Sequence, residues 1–547
     1  MLAQRVSDFS GGMDDRTDRA LIAANACPYL ANCLVDRGRS CHRGGLYPLG
    51  GVSASPWGVG VYQDPGGLRR LLGVWGGRPY ASQDGTSWDL VSASVSLVDS
   101  QHAFQVGRDS NARHLAVISS CGWSTDPSYA ASALVFADLR AGACTQVSLM
   151  RPAVATGWLG RLWAGGLFHD SLPPDTLAWS KVWDFRDWSG VLSNNVRVDP
   201  GSGGRITGLL PARGTAPLLY ILKERGIYIF EVAWQTDGWI PGTSDALNTA
   251  ESQIRVLSSR VGCVAPATAL WVASAEGSDV YFLAHDGIRS LRRTEDDAAI
   301  GGAGRPLTYR IPGIVSRVNW EAAHRSFAAA WGDYYFCAVP LDGAVRPNYV
   351  LVKHLATDDI YGGWTLWPLS LGGLAADSYL SSGFYFQGGE LATEVTGASP
   401  GYGAFVYRYE PEAEDPRDPG GNGVTLTVIT RSFDAGKPER LKYWRWADMY
   451  LSQTGTGGTL SIYASVDDDE ESWTYLDTVS LEGQAAVLRL PARLPWQFTS
   501  ERAYHVKCAL DDLPASYRVA LRLEASGVRL SLRQLDVAAQ VLEKEWT

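Results

Sequence analysis

Between His324 and Pro368, apolar and aromatic residues come in four short runs, each ended by residues that turn a chain. Phe327–Ala330 is the first. Gly332-Asp333 follows as a tight turn, because glycine takes positive φ freely and aspartate tolerates turn geometry. Tyr334–Pro340 is the second run, Tyr349–Leu355 the third, and Gly362-Gly363 leads into Trp364–Trp367. Four short strands in about forty residues predict one antiparallel propeller blade. The same alternation runs from about residue 51 to 410. Leu71–Trp75 is followed by Pro79–Ala81, Leu115–Ser119 by Ala133–Ala137, and Arg161–Ala164 by Thr176–Trp179. Further on come Leu218–Leu222 with Gly226–Trp234, Val280–Ala284 with Ile288–Leu291, and Gly383–Gln387 with Ala404–Tyr409. The spacing is irregular, so the expectation is a β-propeller of five to seven blades.

Pro411–Gly423 (PEAEDPRDPGGNG) is rich in proline, glycine and acid, the composition of a domain linker. Beyond it, Val424–Arg431 alternates apolar residues with threonine, the period of a half-buried strand. Evenly spaced strands follow from Trp444–Leu451 to Val528–Leu532, including one at Ala486–Leu490. They predict a β-sandwich over 424–547. Residues 1–50 follow neither rhythm. They read as an N-terminal strap packed on a neighbouring domain or ring, with a turn or two of helix in Leu21–Cys33 interrupted by Pro28.

Composition agrees with an all-β chain. The 59 glycines supply turns, and 21 tryptophans with 24 tyrosines suit pleated, half-buried surfaces. The formal net charge of −10 argues against a protein that grips a phosphate backbone, which needs a basic footprint. It is compatible with nucleic acid sliding past an acidic wall. The eight cysteines form no CxxC pair, so buried thiols in a reducing compartment are expected, not zinc. The opening MLAQRVSDFSGGMDDR turns polar almost at once, and no run approaches the ~18 apolar residues of a membrane span. A protein soluble when made is the expectation.

Ser82-Gln83-Asp84-Gly85-Thr86-Ser87-Trp88 lies one residue short of the Asp-box, S-x-D-x-G-x-x-W, in which aspartate braces a hairpin turn and tryptophan packs beneath it. Ser465-Val466-Asp467…Trp473 is a related pattern. Neither predicts chemistry. Asp467–Glu471 lacks the alternating layout of a calcium loop and reads as a solvated acidic turn. A glycosidase needs two facing carboxylates. Asp184, Asp187 and Glu231 sit among aromatics, but Asp184 and Asp187 lie in a Trp-rich turn whose packing role suffices. No GxSxG, HExxH or P-loop pattern occurs, and no HxH or HxxxH pair. The expectation is therefore no enzyme, no metal and no cofactor. Two polar, turn-rich segments, Gln235–Gln253 and Arg292–Gly313, are long enough to make contacts of their own. With them, Arg37, Arg39, Arg43, Trp239, Arg292 and Arg293 are the candidate interface residues, and ordinary surface charge is the alternative for the arginines.

Several phrases together resemble a family. The opener DFSGGMDDR at 8–16, the turn with Asn32, Asp36 and Gly38, and Arg43-Gly44-Gly45 look like the start of tail nozzle, or tail tubular, proteins of short-tailed bacteriophages. These contain propellers and are related in role to packaged-DNA stabilisation proteins. LAWSKVWDFRDWSG (177–190), LYILKERGIYIFE (219–231), VYFLAHDGIRSL (280–291) and TRSFDAGKPERLKYWRWADMYL (430–451) extend the similarity. The resemblance implies a virion structural protein, assembled in the host cytoplasm as a homo-hexameric ring below the portal-adaptor. Its other partners would be tail fibre or tip proteins and passing double-stranded DNA, without specific binding and without membrane insertion. The alternative is a carbohydrate-binding or glycan-cleaving propeller acting on the host envelope.

Overall fold

The computed structural model describes residues 1–52, 54, 56–97, 102–120, 133–147, 150–167, 169, 171–214, 217–232, 253–299, 302, 304–369, 373–377, 383–388, 404–411, 413, 416–417, 423–454, 457–481 and 502–542. Seven antiparallel sheets follow one another around a closed ring. The first has strands Pro56–Gln63, Arg69–Trp75, Arg78–Ser82 and Asp89–Leu90. His102–Arg108 opens the second, Val154–Trp158 the third, Ile206–Pro211 the fourth and Leu270–Ser274 the fifth, which has three strands. The sixth is Phe327–Trp331, Tyr334–Val339, Tyr349–His354 and Trp364–Pro368, strand for strand the unit read from the sequence. In the seventh, Gly373–Asp377, Gly383–Gly388 and Ala404–Glu410 are completed by Gly45–Val52 from the start of the chain. The fold is a seven-bladed β-propeller, closed because its outermost last strand comes from the opposite end of the sequence.

Each blade's first strand lies innermost. Pro56–Gln63 neighbours both His102–Arg108 and Gly373–Asp377, which completes the circle. Between blades the gaps fill with large apolar side chains. Trp163 of the third blade sits 5.0 Å from Trp179 of the same blade and 5.9 Å from Phe230 of the fourth, ring centroid to ring centroid. Phe336, Trp367 and Tyr409 join the sixth blade to the seventh. Edge-to-face and tilted aromatic pairs of this kind add about 0.5–1.5 kcal/mol each to the burial itself.

The C-terminal part is a β-sandwich that borrows strands from the strap. One sheet runs Arg502–Ala509, Lys442–Thr454, Arg529–Val541, Arg39–His42, Cys33–Asp36, with Leu2–Val6 also on Arg529–Val541. The other contains Leu426–Ile429, Val519–Ser526, Thr459–Val466 and Thr474–Ser480. Val428, Ile462 and Leu521 of one sheet meet Met449, Leu451 and Leu535 of the other in a dry core. Tyr29–Ala31 lies between Leu426–Ile429, which it pairs antiparallel, and Trp364–Pro368, which it meets in parallel through Ala31 and Leu366. The second sandwich sheet and the sixth blade are therefore one continuous sheet.

Two local expectations change. Leu21–Cys33 forms no helix; it contains the strands Ala26–Cys27 and Tyr29–Ala31 and the first residue of Cys33–Asp36. Pro28 has no N–H and holds its predecessor extended, and the sheets use the backbone groups a helix would have needed. In the segment read as an irregular polar loop, Leu291–Ala299 is instead a nine-residue helix, and Pro312–Ser316 a short second one. Among the described residues no helix is long and apolar enough to cross a membrane.

Candidate functional site

The strap's passage between propeller and sandwich is hydrogen-bonded to both. Asn32 adopts φ +54°, a left-handed conformation that asparagine tolerates better than most residues. Its N–H donates to Leu366 O of the sixth blade at 2.9 Å, and its Nδ2 to Thr425 O at the entry to the sandwich at 2.9 Å. Arg43, fully buried, donates from Nε to Asn32 Oδ1 at 2.9 Å and from Nη1 to Gly44 O at 3.1 Å. Its guanidinium also lies over the Trp367 ring, 5.2 Å from the centroid. Gly44 passes so close to the seventh blade that a Cβ there would meet Glu410 O at 1.9 Å. Beside it, buried His42 donates from Nε2 to Val424 O at 3.1 Å. Burial, reinforced by the Arg43 charge, pushes the imidazole down to about 3.

At the propeller axis the inner strands enclose a hollow of about 400 Å³. Val61, Phe104, Val154, Leu209 and Phe327 contribute to its wall, with small residues such as Gly60, Ala103 and Ala267 between them. Its described lining holds no aspartate or glutamate, and His102 is turned to the Trp57 carbonyl at 3.2 Å. Most of its side chains are small or apolar, and much of its polar surface comes from other groups of the inner strands. Among the described residues no group of three His, Cys, Asp or Glu side chains is placed to hold a metal.

Three turns share one hydrogen-bond pattern, D-x-x-x-W. Asp84 Oδ1 accepts from Thr86 N–H at 2.9 Å, and Trp88 Nε1 donates to Gly85 O at 3.0 Å. Asp184 accepts from Arg186 N–H at 3.1 Å, and Trp188 Nε1 donates to Phe185 O at 3.0 Å. In the sandwich, Asp469 accepts from Glu471 N–H at 3.1 Å, and Trp473 Nε1 donates to Glu470 O at 3.2 Å. The brace is thus Asp469, two residues beyond the Asp467 of the sequence pattern. Asp467 instead accepts from the Tyr517 and Arg518 N–H groups at 2.7 and 3.0 Å. Asp184 is a turn brace, Asp187 accepts from Ser189 N–H at 3.0 Å, and Glu231 is exposed at a strand end.

Neighbouring blades are also pinned by ion pairs. Arg140 of the second blade grips buried Asp64 of the first, Nε–Oδ2 3.2 Å and Nη2–Oδ1 3.0 Å. Arg186 of the third reaches buried Asp109 of the second at 3.1 Å.

No family model and no curated protein matches the chain. Among solved structures it is similar to a streptogramin B lyase, at 11% identity over 67% of this chain and 96% of that one, TM-score 0.34. It is similar also to the Penicillium chrysogenum alpha-L-arabinanase complexed with arabinobiose, at 10% identity over 67% and 98%, TM-score 0.30. For Trypanosoma rangeli sialidase the identity is 9% over 99% and 97%, TM-score 0.23. Two of these three are glycoside hydrolases by name. At scores this low the likeness carries nothing about activity, and the propeller stands on its own strand pairings.

The expected interface residues fall in separate places. Arg37 is exposed, at φ +47° in the turn between Cys33–Asp36 and Arg39–His42. Arg39 is half-buried on the second of these strands. Arg43 is no surface residue: it is the interior strut described above, because Asn32 and Trp367 offer its guanidinium an acceptor and a ring face. Arg292 Nη1 donates to Glu276 O and Arg293 Nη2 to Glu276 Oε1, both at 2.7 Å, so the pair anchors the start of helix Leu291–Ala299. Trp239 lies outside the described residues.

Proposed function

We propose that this chain is a tail nozzle subunit of a short-tailed phage, a structural protein of the virion that assembles as a hexameric ring below the portal-adaptor and retains, then conducts, the genome. The observation that carries this reading is the continuous sheet from blade six through Tyr29–Ala31 into the sandwich, pinned at Asn32 and Arg43. It joins propeller and sandwich into one hydrogen-bonded body. Stiff subunits hold a closed ring at a fixed rotation angle, whereas hinged ones spread over many angles. The net charge of −10 supports the second half of the reading, since an acidic lumen repels passing phosphates. Glycosidic chemistry has less support, because the axial hollow supplies no carboxylate pair among its described residues.

Native mass measurement of the purified chain, alone and mixed with portal and adaptor proteins, tests the proposal. A sixfold species or a stoichiometric complex with the adaptor is expected. A protein that stays monomeric in every mixture, or that hydrolyses envelope glycans, would sink it.

A further inference from the structure

The strap lies over two bodies whose sheets are continuous without it. With residues 1–52 lifted away, Arg502–Ala509, Lys442–Thr454 and Arg529–Val541 still pair side by side, as do Leu426–Ile429, Val519–Ser526, Thr459–Val466 and Thr474–Ser480. The sixth blade keeps its four strands. The seventh keeps three, the number that makes up the fifth blade as it stands. Among the described residues, every strand pairing that links propeller to sandwich runs through the strap.

The strap's own parts are tied to one another. Leu2–Val6 pairs along Arg529–Val541, Tyr29–Ala31 along Leu426–Ile429, and Gly45–Val52 along Ala404–Glu410. The hairpin of Cys33–Asp36 and Arg39–His42 leans on Arg529–Val541 through Ser40 and Cys41. Only Arg43 and Gly44 separate it from the closing strand, and two residues reach ~7 Å at full stretch. Neither element can move far while the other stays. Three glycines seat the strap flush. A Cβ on Gly12 would meet Trp364 N at 2.5 Å, one on Gly44 would meet Glu410 O at 1.9 Å, and one on Gly50 would meet Thr86 O at 2.1 Å. Those contacts fall on the sixth, seventh and first blades. The pairings with Ala404–Glu410 and Arg529–Val541 join opposite ends of the sequence, the kind that forms last in folding.

We infer that residues 1–52 are a latch that opens and closes as one unit, below the free energy of global unfolding, and that its opening releases propeller and sandwich from each other. An open latch frees two strand edges together, those of Ala404–Glu410 and Arg529–Val541, and an unpaired edge is a template for another strand. The inference is independent of the tail assembly.

The test is cysteine labelling of the full chain without denaturant, with iodoacetamide as the probe and peptide mapping by mass spectrometry as the readout. Cys27 and Cys33 are buried in the strap; Cys263 and Cys337 are buried in the propeller. Where opening and closing are fast against labelling, each rate reports the population of the state that exposes the thiol. Cys27 and Cys33 are expected to react within about threefold of each other, and at least about tenfold faster than Cys263 and Cys337. Gly50→Ala props the latch at its far end. It should speed both strap thiols by roughly tenfold to a hundredfold and leave the propeller thiols unchanged. Equal rates for all four cysteines would mean that the strap opens only with the whole protein, and would overturn the inference. Widely different rates for Cys27 and Cys33 would do the same, because they mean piecemeal fraying. So would a folded Gly50→Ala protein whose strap thiols keep their wild-type rates. Because that variant risks misfolding, the wild-type comparison is decisive alone.

Discussion

Arg43 Nε donates to Asn32 Oδ1 at 2.9 Å, at a point where both residues are buried and three parts of the chain converge. The pair couples the stability of propeller and sandwich. Replacing Asn32 by alanine removes the acceptor for Arg43 and the donor to Thr425 O, and leaves a buried charge with fewer partners. A cost of about 2–4 kcal/mol is expected. Urea unfolding followed by tryptophan fluorescence should show one transition for the wild type and two separated transitions for Asn32→Ala. An unshifted single transition in the variant would show that the joint does not depend on this pair.

The D-x-x-x-W turns predict a second series. Asp84→Ala, Asp184→Ala and Asp469→Ala each remove one short-range acceptor, and each should cost about 0.5–1.5 kcal/mol. Trp88→Ala should cost more, about 3 kcal/mol, because the ring packs 4.6 Å from buried Trp75. Adding calcium or a chelator should leave every melting temperature unchanged. A calcium-dependent rise confined to the wild type and lost in Asp469→Ala would turn that acidic turn into a metal site.

What the sequence disclosed follows from how local each contact is. The sixth blade was readable strand by strand because Gly332-Asp333 joins strands that are neighbours in both sequence and space. The closing of the ring was not. Gly45–Val52 has its partner at Ala404–Glu410, and nothing in its own pattern of glycines and apolar residues names a strand so distant. For the same reason a boundary near residue 50 looked natural, although the propeller already begins at Gly45. The joint hid differently. An arginine is by default a surface residue, so Arg43 read as a contact for another subunit. The available signal was the pair Gly44-Gly45 beside it, which marks a close backbone approach and thus an interior. In the sandwich the S-x-D pattern points to Asp467, two residues before the brace Asp469, because the turn's hydrogen bonds are set by distance from tryptophan and not from serine.

His42 gives the joint an acid-sensitive element. Its folded pKa is depressed to about 3 from 6.5, so as pH falls through 6.5 the unfolded chain takes up the proton first. Stability from this group is fully present above 6.5 and declines toward 3, at about 1.4 kcal/mol per pH unit once the unfolded imidazole is charged. Between pH 6.5 and 5 the wild type should therefore lose more stability than His42→Gln. Parallel curves for the two proteins in urea titrations would remove His42 from the explanation.

Lys353 should act on the other side of neutrality. Its ammonium group is buried in the sixth blade, donating from Nζ to Gly362 O at 2.7 Å and lying 5.4 Å from the Trp364 ring centroid. Burial pushes it down to about 7; Asp359 and Glu276 oppose the shift, and Arg310 and Arg293 reinforce it. From pH 7 upward the folded protein sheds this proton while the unfolded lysine keeps it until 10.5. The unfolded state then binds more protons, and stability rises with pH across that window. Below about 7 both states hold the proton and the full burial penalty applies. Lys353→Met, close in length and without the charge, should flatten the rise between pH 7 and 9 and be at least as stable as the wild type at pH 7. Denaturation midpoints at both pH values decide it. A variant that keeps the wild-type slope would assign the rise to another group, and one less stable at pH 7 would mean that the Gly362 hydrogen bond outweighs the desolvation of the charge.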